Sequence, residues 1–98
     1  MLFEWFNATA SKEFGATLAK FYIERIPVAS NENDKKFASR TKAALDKMSQ
    51  RVEQFKASNP LNTYKKAQLG NAFKWSLRDA GYDKAYIDRL TEWLVARI

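Results

Sequence analysis

Ala80-Gly81-Tyr82-Asp83 separates two runs of apolar residues that both have the period of a helix. The apolar positions recur at three- and four-residue steps on either side of it: Leu69, Phe73 and Leu77 before, and Ile87, Leu90, Leu94 and Ile98 after. This spacing places the apolar side chains of each run on one face of a helix. The sequence therefore predicts two amphipathic helices within residues 64–98.

Two residues of this stretch are of the types that end one helix and begin the next. Gly81 can adopt the left-handed backbone conformation that terminates a helix, and Asp83 can accept a hydrogen bond from the exposed amides that begin the following helix. Helices joined by so short a turn must fold back or cross, so that their apolar faces share one core. We therefore expect a C-terminal helical hairpin.

The N-terminal part of the chain has the same helical period. Its apolar stripe consists of Phe3, Phe6, Ala10, Phe14, Leu18 and Phe21. Pro27 ends this helix, because the residue before a proline is pushed out of the helical region, and Asn7 offers a second starting point as an N-cap. Gly15 lies within this stripe, and Gly70 lies beside the apolar line of the third helix. Since an interior glycine costs about 1 kcal/mol relative to alanine, both glycines predict a close contact with another helix.

A longer helix follows the first loop. Its apolar seam consists of Ala38, Thr41, Leu45, Met48, Val52 and Phe55, and Ser58-Asn59-Pro60 ends it. The predicted fold is all-α: a single helical domain over residues 1–98, built as a small bundle of four helices. The helices are predicted near residues 3–25, 33–57, 62–80 and 83–97.

The composition restricts the chemistry of the chain more than any motif does. Cysteine and histidine are absent from the 98 residues, which excludes disulfides, thiolate nucleophiles, Cys/His zinc sites and histidine bases. No apolar run is long enough to span a bilayer, and Met1–Phe6 lacks the pattern of a secretory signal. We therefore expect a soluble, cytoplasmic protein.

The remaining carboxylates do not indicate a catalytic site. Two pairs are spaced four residues apart: Asp79 with Asp83, and Asp88 with Glu92. The first pair straddles the turn and suits helix capping, and the second is flanked by Lys84 and Arg89, as surface charges are. Glycine-rich phosphate loops, metal-binding acidic loops and nucleophile elbows are also absent. The sequence predicts a non-enzyme with no cofactor, metal or small-molecule substrate.

A net charge of +6, from 17 basic and 11 acidic residues, is compatible with an anionic partner. The second predicted helix offers candidate phosphate contacts around residues 35–56: Lys35, Arg40, Lys42, Lys47 and Lys56. The helical wheel places Asp46 and Glu53 in a stripe between basic residues, a pattern typical of a solvated, salt-bridged face. Nucleic-acid binding through this helix is therefore the alternative function.

The C-terminal helix pair superficially resembles a DNA-binding helix-turn-helix over about residues 73–92, with Gly81 as the turn glycine. The sequence departs from that motif in two ways. Leu77 occupies the position where the first helix of the motif carries a small residue for close crossing. The second helix presents three carboxylates and neither Asn nor Gln for base readout. We interpret the pair as an ordinary helical hairpin.

Tryptophan and tyrosine are abundant for a core of this size. Both residue types are frequent hot spots of protein interfaces. We select Trp75, Tyr86 and Trp93 as partner-binding candidates, because Trp75 lies off the apolar line of its helix and the apolar arc of the last helix is broad. The competing interpretation is that a four-helix domain uses all of these rings in its own core.

The aromatic stretch Leu2–Phe6 is a further candidate for an external contact. Aromatic residues beside a helix can insert into a membrane interface, but that role usually needs flanking Lys or Arg, and Glu4 is the only charge before Lys12. Membrane contact is therefore not expected. We expect the stretch to pack on the domain or on a second copy of the chain.

These features predict a small helical protein-interaction or regulatory module that binds a protein partner. A second copy of the chain, forming a homodimer, is one such partner. Nucleic acid is the alternative partner, and the two differ in one measurable way: affinity for nucleic acid falls steeply with added salt, whereas an apolar interface is nearly insensitive to it.

Overall fold

The structure is a computed structural model and describes residues 5–28, 30 and 35–98. This part of the chain contains four helices and no strand. The helices are α1 (Thr9–Arg25), α2 (Lys35–Ser58), α3 (Thr63–Asp79) and α4 (Lys84–Val95). The predicted all-α bundle with a C-terminal helical hairpin is confirmed. Residues 33 and 34 of the predicted second helix lie outside the described residues, and apart from the start of α1 the other predicted helix ends lie within about two residues of the observed ones.

The start of α1 differs most from the prediction, since this helix begins at Thr9 rather than near residue 3. Residues 3 and 4 of the predicted helix lie outside the described residues. Trp5 and Phe6 are helical, and Asn7 and Ala8 interrupt the helix before Thr9. The N-cap position is Ala8, and the Thr9 amide donates to the Asn7 side-chain oxygen at 3.3 Å in this break. At the other end, the Ile26 amide closes the last turn onto the Tyr22 carbonyl at 2.8 Å, one residue before Pro27.

The turn between α3 and α4 has the predicted geometry. Gly81 has φ +96°, the left-handed conformation that glycine adopts without strain. The Tyr82 amide then donates back to the Leu77 carbonyl at 3.3 Å, which completes a Schellman motif at the end of α3. The Asp83 side chain accepts from the Ala85 amide at 3.1 Å and so caps the start of α4. This turn folds α4 back onto α3.

The central contact of the fold is the crossing of α1 and α3. A Cβ atom added to Gly15 would overlap the Leu69 carbonyl oxygen and lie 3.2 Å from the Cβ of Ala72. Gly15 therefore lets the two backbones approach closely, as predicted. The same prediction for Gly70 is wrong: a Cβ there would lie 3.7 Å from Cγ2 of Val95, which is an ordinary van der Waals distance.

The core forms around this crossing, with α2 packed on α1 and α4 packed on α3. α3 and α4 bury the apolar faces predicted for them. The prediction is partly wrong for the other two helices, because Ala10 of α1 and Ala38 of α2 are exposed. The largest side chains that are almost fully removed from solvent are Tyr22, Phe73, Leu18, Ile26, Met48, Leu69, Leu77, Leu94 and Val52. Burying a large apolar side chain contributes about 1.5–3 kcal/mol, so these residues account for most of the cohesion of the bundle.

Candidate docking groove

α2 and α4 flank the same side of the bundle without packing directly on each other. Among the described residues, no pair of Cα atoms from α2 and α4 lies within 8 Å, although packed helices usually have their axes 8–10 Å apart. Side chains only partly fill the gap. Two adjoining clefts of about 570 and 340 Å³ share Phe37, Thr41, Leu45 and Trp93 as lining residues. We call this continuous depression the α2–α4 groove.

The floor of the groove is apolar and aromatic because of helical spacing on both sides. Phe37, Thr41 and Leu45 follow one another at four-residue steps along α2. On α4, Tyr86 and Trp93 lie seven residues apart, which is two helical turns, so both rings point to the same side. Except for Thr41, these partly exposed side chains also pack against the core, so the floor belongs to the folded domain and is supported from beneath.

Arg89 of α4, and Arg97 two residues beyond its end, lie over the rings of the groove. The guanidinium of Arg89 lies 5.6 Å from the centre of the Tyr86 ring, and that of Arg97 lies 4.2 Å from the centre of the Trp93 ring. Arg97 also donates to the Trp93 carbonyl at 2.9 Å. Within the described residues, neither arginine forms an ion pair with a carboxylate. The α4 rim of the groove is therefore positively charged.

On the α2 rim, by contrast, positive and negative charges are paired with each other. Lys42 pairs with Asp46 at 3.3 Å, and Lys56 pairs with Glu53 at 3.7 Å. Lys56 also donates to the carbonyl of Arg97 at 2.9 Å, which ties the end of α2 to the end of α4. This hydrogen bond closes one end of the gap between the two helices.

Thr41 is the polar group on the floor of the groove. Its hydroxyl oxygen is buried and makes no hydrogen bond within the described part of the chain. A buried hydroxyl without a partner costs about 1–3 kcal/mol.

Three tyrosines join α1 to α4 beside the groove. The hydroxyls of Tyr22 and Tyr86 are hydrogen-bonded to each other, and Tyr82 donates to the carbonyl of Ile26 at the end of α1. The Tyr82 and Tyr86 rings are stacked, with centres 5.7 Å apart and planes 14° apart. Burial, together with the neighbouring Tyr86 hydroxyl, raises the pKa of Tyr82 to about 12. This cluster fixes the position of Tyr86 in the groove.

Tyr82→Phe gives a pH-dependent test of the tyrosine cluster. Near neutral pH we expect the variant to be less stable by about 1 kcal/mol, the typical contribution of one hydrogen bond. Because the pKa of Tyr82 rises from 10.0 to about 12 on folding, the unfolded chain loses this proton first, and the tyrosine's contribution to stability falls as the pH rises through that window. The stability difference between wild type and variant should therefore narrow above pH 10.

Urea denaturation of both proteins across this pH range measures that difference. Titration of lysines and of the other tyrosines affects both proteins alike and largely cancels in the comparison. A difference that stays constant from neutral pH to pH 12 would show that Tyr82 keeps its ordinary pKa of 10.0 in the folded protein.

The structure separates the three aromatic residues predicted to bind a partner. Tyr86 and Trp93 lie together in the α2–α4 groove. Trp75 does not line it: this ring is 54% exposed on the outer side of α3, where the Arg78 guanidinium lies 4.9 Å from its centre. Only two of the three predicted residues thus share one surface.

The basic residues proposed to contact nucleic acid fall into two groups, one exposed on α2 and one in ion pairs. Lys35, Arg40 and Lys47 are exposed on α2. Lys42 and Lys56 are in the ion pairs of the α2 rim described above, with the side chain of Lys42 still 80% exposed. The positive charges of α2 are therefore partly neutralised along the groove, whereas Lys35, Arg40 and Lys47 form no ion pair with a carboxylate of the described residues.

The end of the predicted N-terminal aromatic stretch packs on the start of α3. The Trp5 and Tyr64 rings are stacked with centres 6.3 Å apart, and the Phe6 ring meets Tyr64 edge-on at 5.4 Å. Asn62 donates to the Trp5 carbonyl at 2.9 Å. The structure thus places Trp5 and Phe6 on the domain itself, while Leu2–Glu4 lie outside the described residues.

Sequence reasoning missed several residues of the groove, above all Phe37 and Arg97. Phe37 had a detectable signal, because it lies four residues before Thr41 on the predicted seam of α2. The sequence signal for Arg97 was weaker: it lies four residues after Trp93, one helical turn away. What no local pattern could reveal is that these two helices stand apart and face each other across a gap.

No protein-family model, curated protein or solved structure matches this chain. Within the described residues, no group of His, Cys, Asp and Glu side chains is arranged to hold a metal ion. None of the described helices has the length and apolar character needed to cross a membrane. The α2–α4 groove is the surface on which a functional hypothesis can be built.

Proposed function

We propose that this chain is a non-enzymatic, cytoplasmic protein-interaction module that binds a protein partner in the α2–α4 groove. The observation that carries the proposal is the pair of half-buried rings, Tyr86 and Trp93, on the floor of an apolar depression. Tyrosine, tryptophan and arginine are the residues most enriched among interface hot spots. The groove presents all three types side by side.

The groove also has the distribution of residues that is typical of protein interfaces, with apolar residues in the centre and charged residues at the edge. Apolar rings in the centre can be desolvated completely, while charged groups at the edge keep their contact with water. Because the rings are held from beneath by the core and by the tyrosine cluster, they lose little conformational freedom on binding. These properties favour a specific protein contact over nonspecific adhesion.

Capture of partners from the native lysate tests this function against the nucleic-acid alternative. We expect the tagged protein to retain a protein partner after nuclease treatment and through elution steps of increasing salt, since apolar contacts are not screened by ions. The matched variant reverses the exposed charges of α2 that lie outside the groove, as Lys35→Glu, Arg40→Glu and Lys47→Glu. This variant should retain the same partner.

If the chain binds nucleic acid instead, the capture experiment should give the opposite result. Nucleic acid would elute at modest salt, since each neutralised phosphate adds to the salt dependence. Captured proteins would disappear after nuclease treatment, and the triple charge reversal would abolish capture. That pattern would replace the interaction module with a nucleic-acid-binding protein that uses α2.

A further inference from the structure

We propose that the occupant of the α2–α4 groove is an acidic amphipathic helix of the partner protein. This inference rests on the proposed function and adds the chemistry of the partner. The helix would place an apolar face on the rings of the groove and carboxylates on the α4 rim. Helix-in-groove binding of this kind is a recurring mode of peptide recognition.

The charge of the α4 rim indicates that the partner helix is acidic. Ring and guanidinium alternate along the sequence at this edge of the groove, from Tyr86, Arg89 and Trp93 on α4 to Arg97 just beyond its end. Asp88 pairs with Lys84 at 3.3 Å, and Glu92, three residues after Arg89, does not come within ion-pair distance of either arginine. The α4 rim therefore carries two positive charges without a matching carboxylate among the described residues.

The two guanidinium groups are suited to carboxylates. Each has one face against an aromatic ring, and neither has an acidic partner in the described part of the chain. An arginine that is stacked in this way retains donors along its edge, and these match the two oxygens of a carboxylate. Stacking also restricts the side chain, so that less freedom is lost when a carboxylate binds.

The spacing of the two arginines predicts the spacing of the acidic residues in the partner helix. Arg89 and Arg97 are eight residues apart, about two turns, with the last two residues beyond the end of α4. A helix lying alongside α4 would meet both with acidic residues seven or eight positions apart, on one face. Apolar residues between them would lie over Trp93 and Leu45.

A selection experiment tests this chemistry without a known partner. The probe is a displayed library of helical peptides about 14 residues long, enough for four turns, randomised on one face and selected on the full-length protein. We expect the enriched peptides to carry two acidic residues seven or eight positions apart, with apolar residues between them. Soluble versions of these peptides are then titrated against variants.

Ala38 offers a matched pair of variants. This residue is exposed and lines the groove on α2, so that its replacement should leave the fold intact. Glu and Lys have similar helix propensities. Ala38→Glu should weaken the selected peptides and Ala38→Lys should not. Arg89→Glu combined with Arg97→Glu should weaken them by about tenfold or more, whereas Arg78→Glu, beside the exposed Trp75, should have no effect.

Several outcomes would overturn the inference. Enriched peptides without acidic pairs that still require Trp93 would leave the proposed function standing and refute the acidic partner. Failure to enrich any groove-dependent peptide would count against both. Self-association in ultracentrifugation that Trp93→Ala abolishes would make a second copy the occupant, and oligonucleotide binding lost on reversing Arg89 and Arg97 would make the occupant a nucleic acid.

Discussion

Replacing Gly15 with alanine should lower the free energy of unfolding by about 3 kcal/mol, the upper part of the range for an overpacked site. The added methyl group would overlap the carbonyl oxygen of Leu69 in the backbone of α3. A flexible side chain could move aside, but a helical backbone cannot do so without displacing the helix. The better helix propensity of alanine, about 1 kcal/mol, offsets only part of this cost. Urea denaturation followed by circular dichroism measures the change.

Gly70→Ala is the matched control, since Gly70 is also a buried glycine within a helix. A methyl group there would lie 3.7 Å from Val95, in ordinary contact. The gain in helix propensity should then leave the protein unchanged or more stable by about 0.5–1 kcal/mol. Equal effects at the two positions would contradict the close crossing of α1 and α3.

Trp93→Ala should weaken partner binding by at least about 30-fold, which corresponds to the 2 kcal/mol that defines an interface hot spot. Removing the indole takes away the largest ring of the groove floor, together with the ring on which Arg97 lies. The affinity of the partner captured from the lysate, measured by calorimetry or by surface binding, gives the change directly.

Trp75→Ala is the control for this prediction, since it removes the same side chain from the outer side of α3. Its effect on affinity should be small. Because Trp93 also packs against the core, circular dichroism must confirm that Trp93→Ala is folded at the temperature of the measurement. A folded Trp93→Ala protein with unchanged affinity, or a large loss from Trp75→Ala, would place the interface outside the groove.

The elements of the fold were predictable because their signals are local. Gly81 and Asp83 lie within three residues of each other and determine how α3 ends and how α4 begins, whatever surrounds them. Periodicity likewise identified the buried faces of α3 and α4, whereas on α1 it included the exposed Ala10 and missed the buried Ser11 and Ala19. The start of α1 was misplaced because the aromatic stripe runs on through Phe6, whereas the helix is interrupted at Asn7 and Ala8 and resumes at Thr9.

The candidate site was only partly predictable because it depends on contacts between distant segments. Gly15 and Gly70 look alike in sequence, yet only Gly15 faces a backbone at the crossing of two helices. Trp75 and Trp93 are equally plausible as interface residues, but only Trp93 stands opposite α2. The distance between α2 and α4 is set by how each packs on the central pair, and no spacing along the chain encodes it.

The three tryptophans provide the most direct test of the groove, because each reports on a different surface. Trp5 lies in the N-terminal aromatic cluster, Trp75 on the outer side of α3, and Trp93 in the groove. We would label them with fluorotryptophan and record fluorine NMR spectra before and after adding the captured partner. If the partner binds in the groove, the Trp93 resonance should shift while those of Trp5 and Trp75 stay in place. A shift of the Trp5 or Trp75 resonance with that of Trp93 unchanged would contradict binding in the groove.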